Sequence, residues 1–257
     1  MELTKSIHKQ AAEHIFKHMA PFVFGHGADH DSYFFNSGTA TLIDLGCGPL
    51  ALTCEHVSTP FREFKATNEK KSNAQLYIGG ATGIDRPIIA CNKELDIATL
   101  QLTTDELPQI PHGHKQYGTQ LIREIYHGPI KEGDVIAFSG YPSEQTWRYK
   151  TGVNNLTAFH PCACFSEAAS INNDYIICQS NHINYQSNSD RLLTLTDDPT
   201  GMSGGPAFLI RQENNHLSYF FIGIVSSGVF LSQNCLTAYV KRVSRLNCDG
   251  TLKEATK

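Results

Sequence analysis

Short apolar runs, separated by glycine, proline and asparagine, recur along most of the chain. Runs of this length between turn residues are typical of β-strands. Gly46, Gly48 and Pro49 separate two of them, which predicts a β-hairpin over residues 39–53. Because strands follow strands, the pattern favours a barrel or sandwich over a βαβ fold. The predicted strands are 33–35, 38–44, 50–54, 75–78, 87–91, 97–102, 120–126, 134–140, 147–156, 175–179, 208–210, 218–225 and 237–240.

Both ends of the chain have a different pattern. Ile7, Ala11, Ile15 and Met19 recur every four residues, which predicts an amphipathic N-terminal helix. We expect it to pack on the β domain, although a partner-binding helix would have the same pattern. A short C-terminal helix is predicted over residues 240–246.

A segment rich in proline and glycine divides the predicted strands into two groups. Pro108, Pro111 and Gly113 interrupt the pattern there, so residues 103–118 are interpreted as the link between two β lobes. The predicted organisation is an N-terminal helical extension at 1–25, a first lobe at 26–110 and a second lobe at 111–257.

Composition narrows the choice of partner and compartment. The net charge of -4 gives no reason to expect nucleic acid or an anionic membrane as partner. No apolar run approaches the roughly 18 residues that span a bilayer. The N-terminus lacks the apolar block of a secretion signal. The eight cysteines are therefore expected to be free thiols rather than four disulfides, and the location cytoplasmic.

A serine among glycines is the strongest chemical signal. Ser203 lies between Gly201 and the pair Gly204 and Gly205, where the backbone can turn tightly and approach a substrate. A serine hydroxyl is a weak nucleophile at neutral pH. It needs a base, a carboxylate that orients the base, and donors for the developing oxyanion.

His56 and Asp96 are the candidates for base and carboxylate. His56 follows the apolar run 50–54, and Asp96 begins the apolar run 97–102. A carboxylate beside a buried strand is costly unless it is paired, and a histidine would pair it. Taken alone, a histidine among twelve would indicate little, and Asp96 would be interpreted as a turn residue.

The chain order His56, Asp96, Ser203 resembles that of the trypsin-like (chymotrypsin-fold) serine peptidases. Segments 38–40, 139–142 and 223–228 are also similar, so the resemblance covers roughly residues 35–245. It implies an all-β fold of two six-stranded antiparallel β-barrel lobes with the active site between them, and no cofactor or metal. The implied partners are a protein or peptide substrate and a regulatory protein.

The resemblance also implies residue roles. Ser203 would attack the scissile carbonyl, His56 would take its proton, and Asp96 would orient the imidazole. The N–H groups of Gly201 and Ser203 would form the oxyanion hole.

The resemblance further implies a substrate-binding strand and a specificity residue. Ser226, Ser227 and Gly228 would pair with an extended substrate backbone. Asp197 lies six residues before Ser203, where a carboxylate would select a basic side chain, although its segment equally predicts a turn.

Departures from the family's usual pattern make the chain resemble bacterial intracellular trypsin-like peptidases more than digestive ones. Val57 replaces the cysteine that follows the histidine in secreted members, and Pro199 and Thr200 also stand where a cysteine would be. Met202 replaces the aspartate that pairs with a new N-terminus in activated zymogens. We therefore expect control by narrow specificity or by a partner protein rather than by N-terminal cleavage.

Soft ligands also cluster between residues 160 and 182. His160, Cys162, Cys164, Cys178 and His182 could bind zinc, but the Cys-x-Cys spacing is not the usual knuckle, so free structural thiols are favoured.

The predicted function is that of a serine endopeptidase that acts through an acyl-enzyme. The alternative is a catalytically silent peptidase-fold module that binds peptides or partner proteins. A place in a larger sensing or defence assembly is compatible with either.

Overall fold

Two six-stranded antiparallel sheets form most of the molecule in the computed structural model. This confirms the all-β prediction. The structure describes residues 5–26, 34–66, 74–79, 84, 87–107, 110–112, 115–117, 120–142, 146–151, 154–159, 161–187, 200–214, 216–232 and 235–254.

The first sheet is the six-stranded antiparallel lobe that the resemblance implied, and it has the form of an open half-barrel. Its strand order is β4-β1-β2-β3-β6-β5. The predicted hairpin is β2 and β3, in which Thr41 pairs with Leu52. The strands are β1 (Met19–His26), β2 (Phe34–Ile43), β3 (Leu50–Thr53), β4 (Ala74–Ile78), β5 (Ile88–Asn92) and β6 (Ile97–Gln101).

Shorter elements come between and beside the sheets. Thr104–Glu106 forms one 3-10 turn. Two small hairpins are β7 (Ile110–His112) with β8 (Lys115–Tyr117), and β10 (Thr146–Thr151) with β11 (Asn154–Phe159).

The second sheet closes into a barrel with the order β12-β13-β16-β15-β14-β9. Its interior is a separate apolar core that includes Ile136, Phe138 and Leu209. The strands are β9 (Val135–Gly140), β12 (Cys162–Ile171), β13 (Tyr175–Ser187), β14 (Pro206–Glu213), β15 (His216–Ser232) and β16 (Cys235–Arg242).

The predicted N-terminal helix is α1 (Lys5–Phe16). It buries Ala11, Ile15 and Phe16 and contacts β9, β12 and β13 of the second barrel. The helix therefore packs on the β domain, as we expected from the sequence. The chain then enters the half-barrel at Met19, within the segment assigned above to the helical extension.

A second helix, α2 (Glu55–Ala66), was not predicted from the sequence. Val57 and Phe61 are buried on one face of it, and Phe64 packs against the same core. This spacing of apolar positions is helical. The preceding apolar run and Pro60 inside the helix obscured it.

Three predicted elements are wrong. The single strand predicted over residues 147–156 is instead the hairpin of β10 and β11. No helix forms over residues 240–246, because β16 continues to Arg242 and a turn follows. Leu236, Ala238 and Val240 are buried on alternate positions of that strand, which is the period of a strand. Residues 120–126 form no strand, and only Ile122 makes an isolated bridge.

Cys47 and Cys248 form a disulfide, which corrects the expectation of free thiols for this pair. The two residues lie 201 positions apart, so no local spacing indicates the bond. Five cysteines of the described ranges are outside any disulfide, namely Cys54, Cys91, Cys162, Cys164 and Cys178. In the same described ranges, neither helix has the length and apolar character needed to cross a bilayer.

Candidate active site

The turn that carries Ser203 is shaped by glycines. Gly201 has φ 97° and Gly204 has φ 90°, a region that other residues rarely adopt. A Cβ on Gly204 would lie 2.0 Å from the carbonyl oxygen of Thr39. One on Gly205 would lie 1.7 Å from that of Ser139. The glycines are therefore needed both for the turn and for its close approach to neighbouring strands.

Hydrogen bonds attach this turn to strand β2 of the half-barrel. The backbone N–H of Thr39 donates to the carbonyl oxygen of Ser203 at 2.9 Å. The Thr39 hydroxyl donates to the carbonyl oxygen of Gly201 at 2.8 Å. The Thr41 hydroxyl donates to that of Gly204 at 2.7 Å. Both threonines are buried, so these bonds hold the serine of one lobe in fixed register with the other lobe.

His56 and Asp96 are paired on the half-barrel side. His56 lies in the first turn of α2, and Asp96 ends the turn before β6 with φ 52°. The His56 Nδ1 lies 2.9 and 3.1 Å from the two Asp96 carboxylate oxygens. The His56 backbone N–H also donates to Asp96 at 3.2 Å. The unpredicted helix therefore orients the imidazole.

The environment favours an ionised Asp96 and a more basic His56. The hydrogen bond that His56 donates to Asp96 raises the pKa of His56 above its usual 6.5, although burial opposes this. Burial acts to raise the pKa of Asp96, but hydrogen bonds from His56 and Ser226 outweigh it and lower that pKa. With Nδ1–H donating to the carboxylate, Nε2 is the free basic nitrogen.

Ser226 contacts two of the candidate catalytic residues, Asp96 and Ser203, which the sequence did not indicate. Its hydroxyl donates to Asp96 Oδ2 at 2.6 Å, and its carbonyl oxygen accepts from the Ser203 hydroxyl at 2.9 Å. A hydroxyl has one proton, so Ser203 does not donate to His56 in this conformation. Ser226 and Asp96 are 130 positions apart, and no sequence signal indicates their contact.

The predicted oxyanion donors are the backbone N–H groups of Gly201 and Ser203. Within the described ranges, neither Gly201 nor Ser203 donates its N–H to another backbone carbonyl. Met202, between them, is buried in the core of the second barrel. Its apolar side chain therefore packs in this core, at the position where the resemblance to trypsin-like peptidases would imply an aspartate.

An open cleft of ≈ 330 Å³ joins these groups. It contains every predicted site residue except Asp197, which lies outside the described residues. The cleft is lined by Ser37, His56, Val57, Asp96, Thr200, Gly201, Ser203, Ser226, Ser227 and Gly228.

The alternative zinc cluster is only partly described. Cys162, Cys164 and Cys178 are buried in the core of the second barrel, where burial raises the pKa of Cys178 to about 12. His160 and the side chain of His182 lie outside the described residues. The three thiols therefore contribute to packing.

A closed six-stranded barrel beside a six-stranded half-barrel is compatible with a chymotrypsin-like fold. No known family model and no curated protein matches the chain.

Proposed function

We propose that the protein is a serine endopeptidase that hydrolyses peptide bonds through an acyl-enzyme. The observation that carries the proposal is the meeting of Ser203, His56 and Asp96 in one cleft, although they come from segments far apart in the chain. A nucleophile, a base and an orienting carboxylate together are what acyl transfer by a serine requires.

The proton would move from Ser203 to the Nε2 of His56. The Ser203 hydroxyl first leaves the carbonyl oxygen of Ser226 and turns toward the imidazole. Its oxygen then attacks the substrate carbonyl while Asp96 stabilises the imidazolium. His56 returns the proton to the leaving amine, and a water molecule releases the acyl group by the same steps.

The negative charge on the substrate oxygen needs nearby donors. The N–H groups of Gly201 and Ser203, which donate to no backbone carbonyl of the described residues, are suited to this role. The threonine bonds to the turn hold them in place before the reaction. Losing one such donor costs on the order of 3 kcal/mol of transition-state stabilisation.

The substrate backbone would lie along the end of β15. Ser227 and Gly228 line the cleft there, and an extended peptide can add to such a strand edge. Asp197 would select basic side chains if it lies at the base of the specificity pocket.

A silent module that binds peptides is the second candidate. It is favoured by the Ser203 hydroxyl, which donates to Ser226 rather than to His56. Such bonds often form only when a substrate is bound, so the endopeptidase remains the stronger proposal.

Control by a partner protein and a cytoplasmic location complete the proposal. Five described cysteines are free, as a reducing compartment would have them. Disulfides are typical of oxidising compartments, so the Cys47–Cys248 bond argues against a cytoplasmic location.

A cleavage profile of the purified protein on a peptide library tests the function. We expect wild type to cut, Ser227→Ala to cut with altered efficiency, and Ser203→Ala not to cut. Peptide binding by wild type without any cleavage would support the silent module instead. A preference for Arg or Lys before the cut would support the role of Asp197.

A further inference from the structure

A buried cysteine lies behind the His56–Asp96 pair. Cys54 comes between β3 and α2 and has 0% of its surface exposed. Its Sγ, one ring nitrogen of His56 and a carboxylate oxygen of Asp96 all lie within 4.8 Å of one another. The Cys54 thiol donates to the carbonyl oxygen of Val225 at 3.1 Å, which holds it at the back of the cleft.

Sulfur, nitrogen and oxygen donors at this spacing match the ligand preferences of zinc. Zinc binds cysteine sulfur at about 2.3 Å, and histidine nitrogen and carboxylate oxygen at about 2.0–2.2 Å, in tetrahedral geometry. Tetrahedral ligands at those distances lie about 3.3–3.7 Å apart. The observed separations, 2.9 Å between His56 Nδ1 and Asp96 and at most 4.8 Å overall, reach this range by small side-chain rotations.

We propose that Cys54, His56 and Asp96 bind a zinc-like transition metal ion and that this ion switches the site off. The inhibitory consequence rests on the proposed peptidase function, whereas the binding itself does not.

The chemistry of binding explains the inhibition. The Cys54 thiol releases its proton to solvent and binds as thiolate. The proton on Nδ1 of His56 relocates to Nε2, because Nδ1 becomes a ligand. A protonated Nε2 cannot accept the proton of Ser203, and Asp96 no longer supports an imidazolium. Both effects remove the base without blocking the substrate-binding strand.

The cleft gives the ion a route to these donors. The His56 side chain is 52% exposed and that of Asp96 is 16% exposed. The ion therefore reaches His56 and Asp96 from the cleft, and the Cys54 sulfur lies within 4.8 Å of both. Magnesium and calcium prefer sets of six or more oxygen ligands, so neither should bind here.

Titration with Co²⁺, monitored by thiolate-to-cobalt absorption in the near ultraviolet, tests the site. The background is Ser203→Ala, so that metal binding is measured whether or not the protein is a peptidase. We expect one equivalent to produce the band and one equivalent of Zn²⁺ to displace it. Adding Cys54→Ala should abolish the band and weaken zinc binding at least about tenfold.

Two further variants serve as controls for the cobalt titration. Cys178→Ala removes another buried thiol and should keep the band. His56→Ala removes a ligand whose side chain is half exposed, so the core is unaffected, and it should lose the band. No band in the Ser203→Ala background, or a band that persists without Cys54, would overturn the proposal.

Zinc inhibition of the wild-type protein completes the test. Cys54→Ala should need at least about tenfold more zinc for the same inhibition. If the cobalt band forms but the protein cleaves no peptide at any metal concentration, the metal site is supported and only the peptidase proposal is contradicted.

Discussion

At the scale of single residues, His56 and Asp96 derive their properties from each other. Their hydrogen bond raises the pKa of His56 and contributes to the lowered pKa of Asp96. Ser226 adds a second donor to the same carboxylate. The contact therefore makes His56 a stronger base and keeps Asp96 ionised at neutral pH.

The pH dependence of cleavage follows from this pairing. His56 acts as a base only when it is unprotonated, so kcat/KM should rise with pH through a pKa above 6.5. Asp96→Asn removes the main cause of the raised pKa. It should move this limb to lower pH and reduce kcat by on the order of 10⁴. A limb that stays at the same pH in Asp96→Asn would show that another group titrates.

The residues of the candidate site were predictable only where a local pattern marked them. Glycines marked Ser203, and the edges of apolar runs marked His56 and Asp96. Ser226 was assigned to the substrate backbone, and its bond to Asp96 depends on the folding of β15 against the half-barrel. The approach of Cys54 to the pair is likewise a product of tertiary packing.

At the scale of elements, the two helices differ in how clearly the pattern of apolar residues predicts them. The apolar face of α1 is regular and was predicted. The α2 helix follows β3 almost directly and contains Pro60, so no helix was predicted there. Strands β13 and β15 continue far beyond their predicted apolar runs, and β1 and β12 were not predicted.

Helix α1 brings partly buried imidazoles against the second barrel. The His14 ring stacks on Tyr219 of β15, with ring centroids 4.1 Å apart, and lies 5.0 Å from the His18 ring. Burial, followed by the positive charges of His18 and Lys17, lowers the pKa of His14 to about 4. Burial also lowers the pKa of His18.

Acid should therefore destabilise the protein through this contact. An unfolded histidine titrates near 6.5, so the stability that neutral His14 provides is complete above that pH. It is lost progressively as the pH falls from 6.5 toward 4. Urea midpoints at neutral and acidic pH should differ less in His14→Phe than in wild type. His127→Gln, a change of an exposed histidine, should leave the difference unchanged; an unchanged difference in His14→Phe would contradict the account.

At the scale of the whole molecule, the all-β class was predictable from the succession of short apolar runs. Whether each sheet closes into a barrel was not predictable from these runs, because closure depends on which distant strands pair. β9 meets both β12 and β14 and thereby closes the second barrel. The half-barrel ends at β4 and β5 instead. The Cys47–Cys248 bond is another long-range feature of this kind.

The disulfide should stabilise the fold against unfolding. It closes a loop of 201 positions, and removing a native disulfide typically costs about 2–5 kcal/mol. The double variant Cys47→Ser, Cys248→Ser should therefore unfold at lower urea than wild type. Reductant should lower the wild-type midpoint to that of the double variant and leave the variant unchanged. Equal midpoints for both proteins without reductant would show that the bond contributes nothing.

The central claim is that Ser203 is an activated nucleophile. A fluorophosphonate reacts covalently with a serine only where a base assists it. Intact-mass and peptide mass spectrometry of the treated protein should show one adduct, located on Ser203. The adduct should be absent from Ser203→Ala, strongly reduced in His56→Ala, and retained in Ser227→Ala. An adduct that persists in Ser203→Ala, or no adduct on folded wild type, would contradict the account.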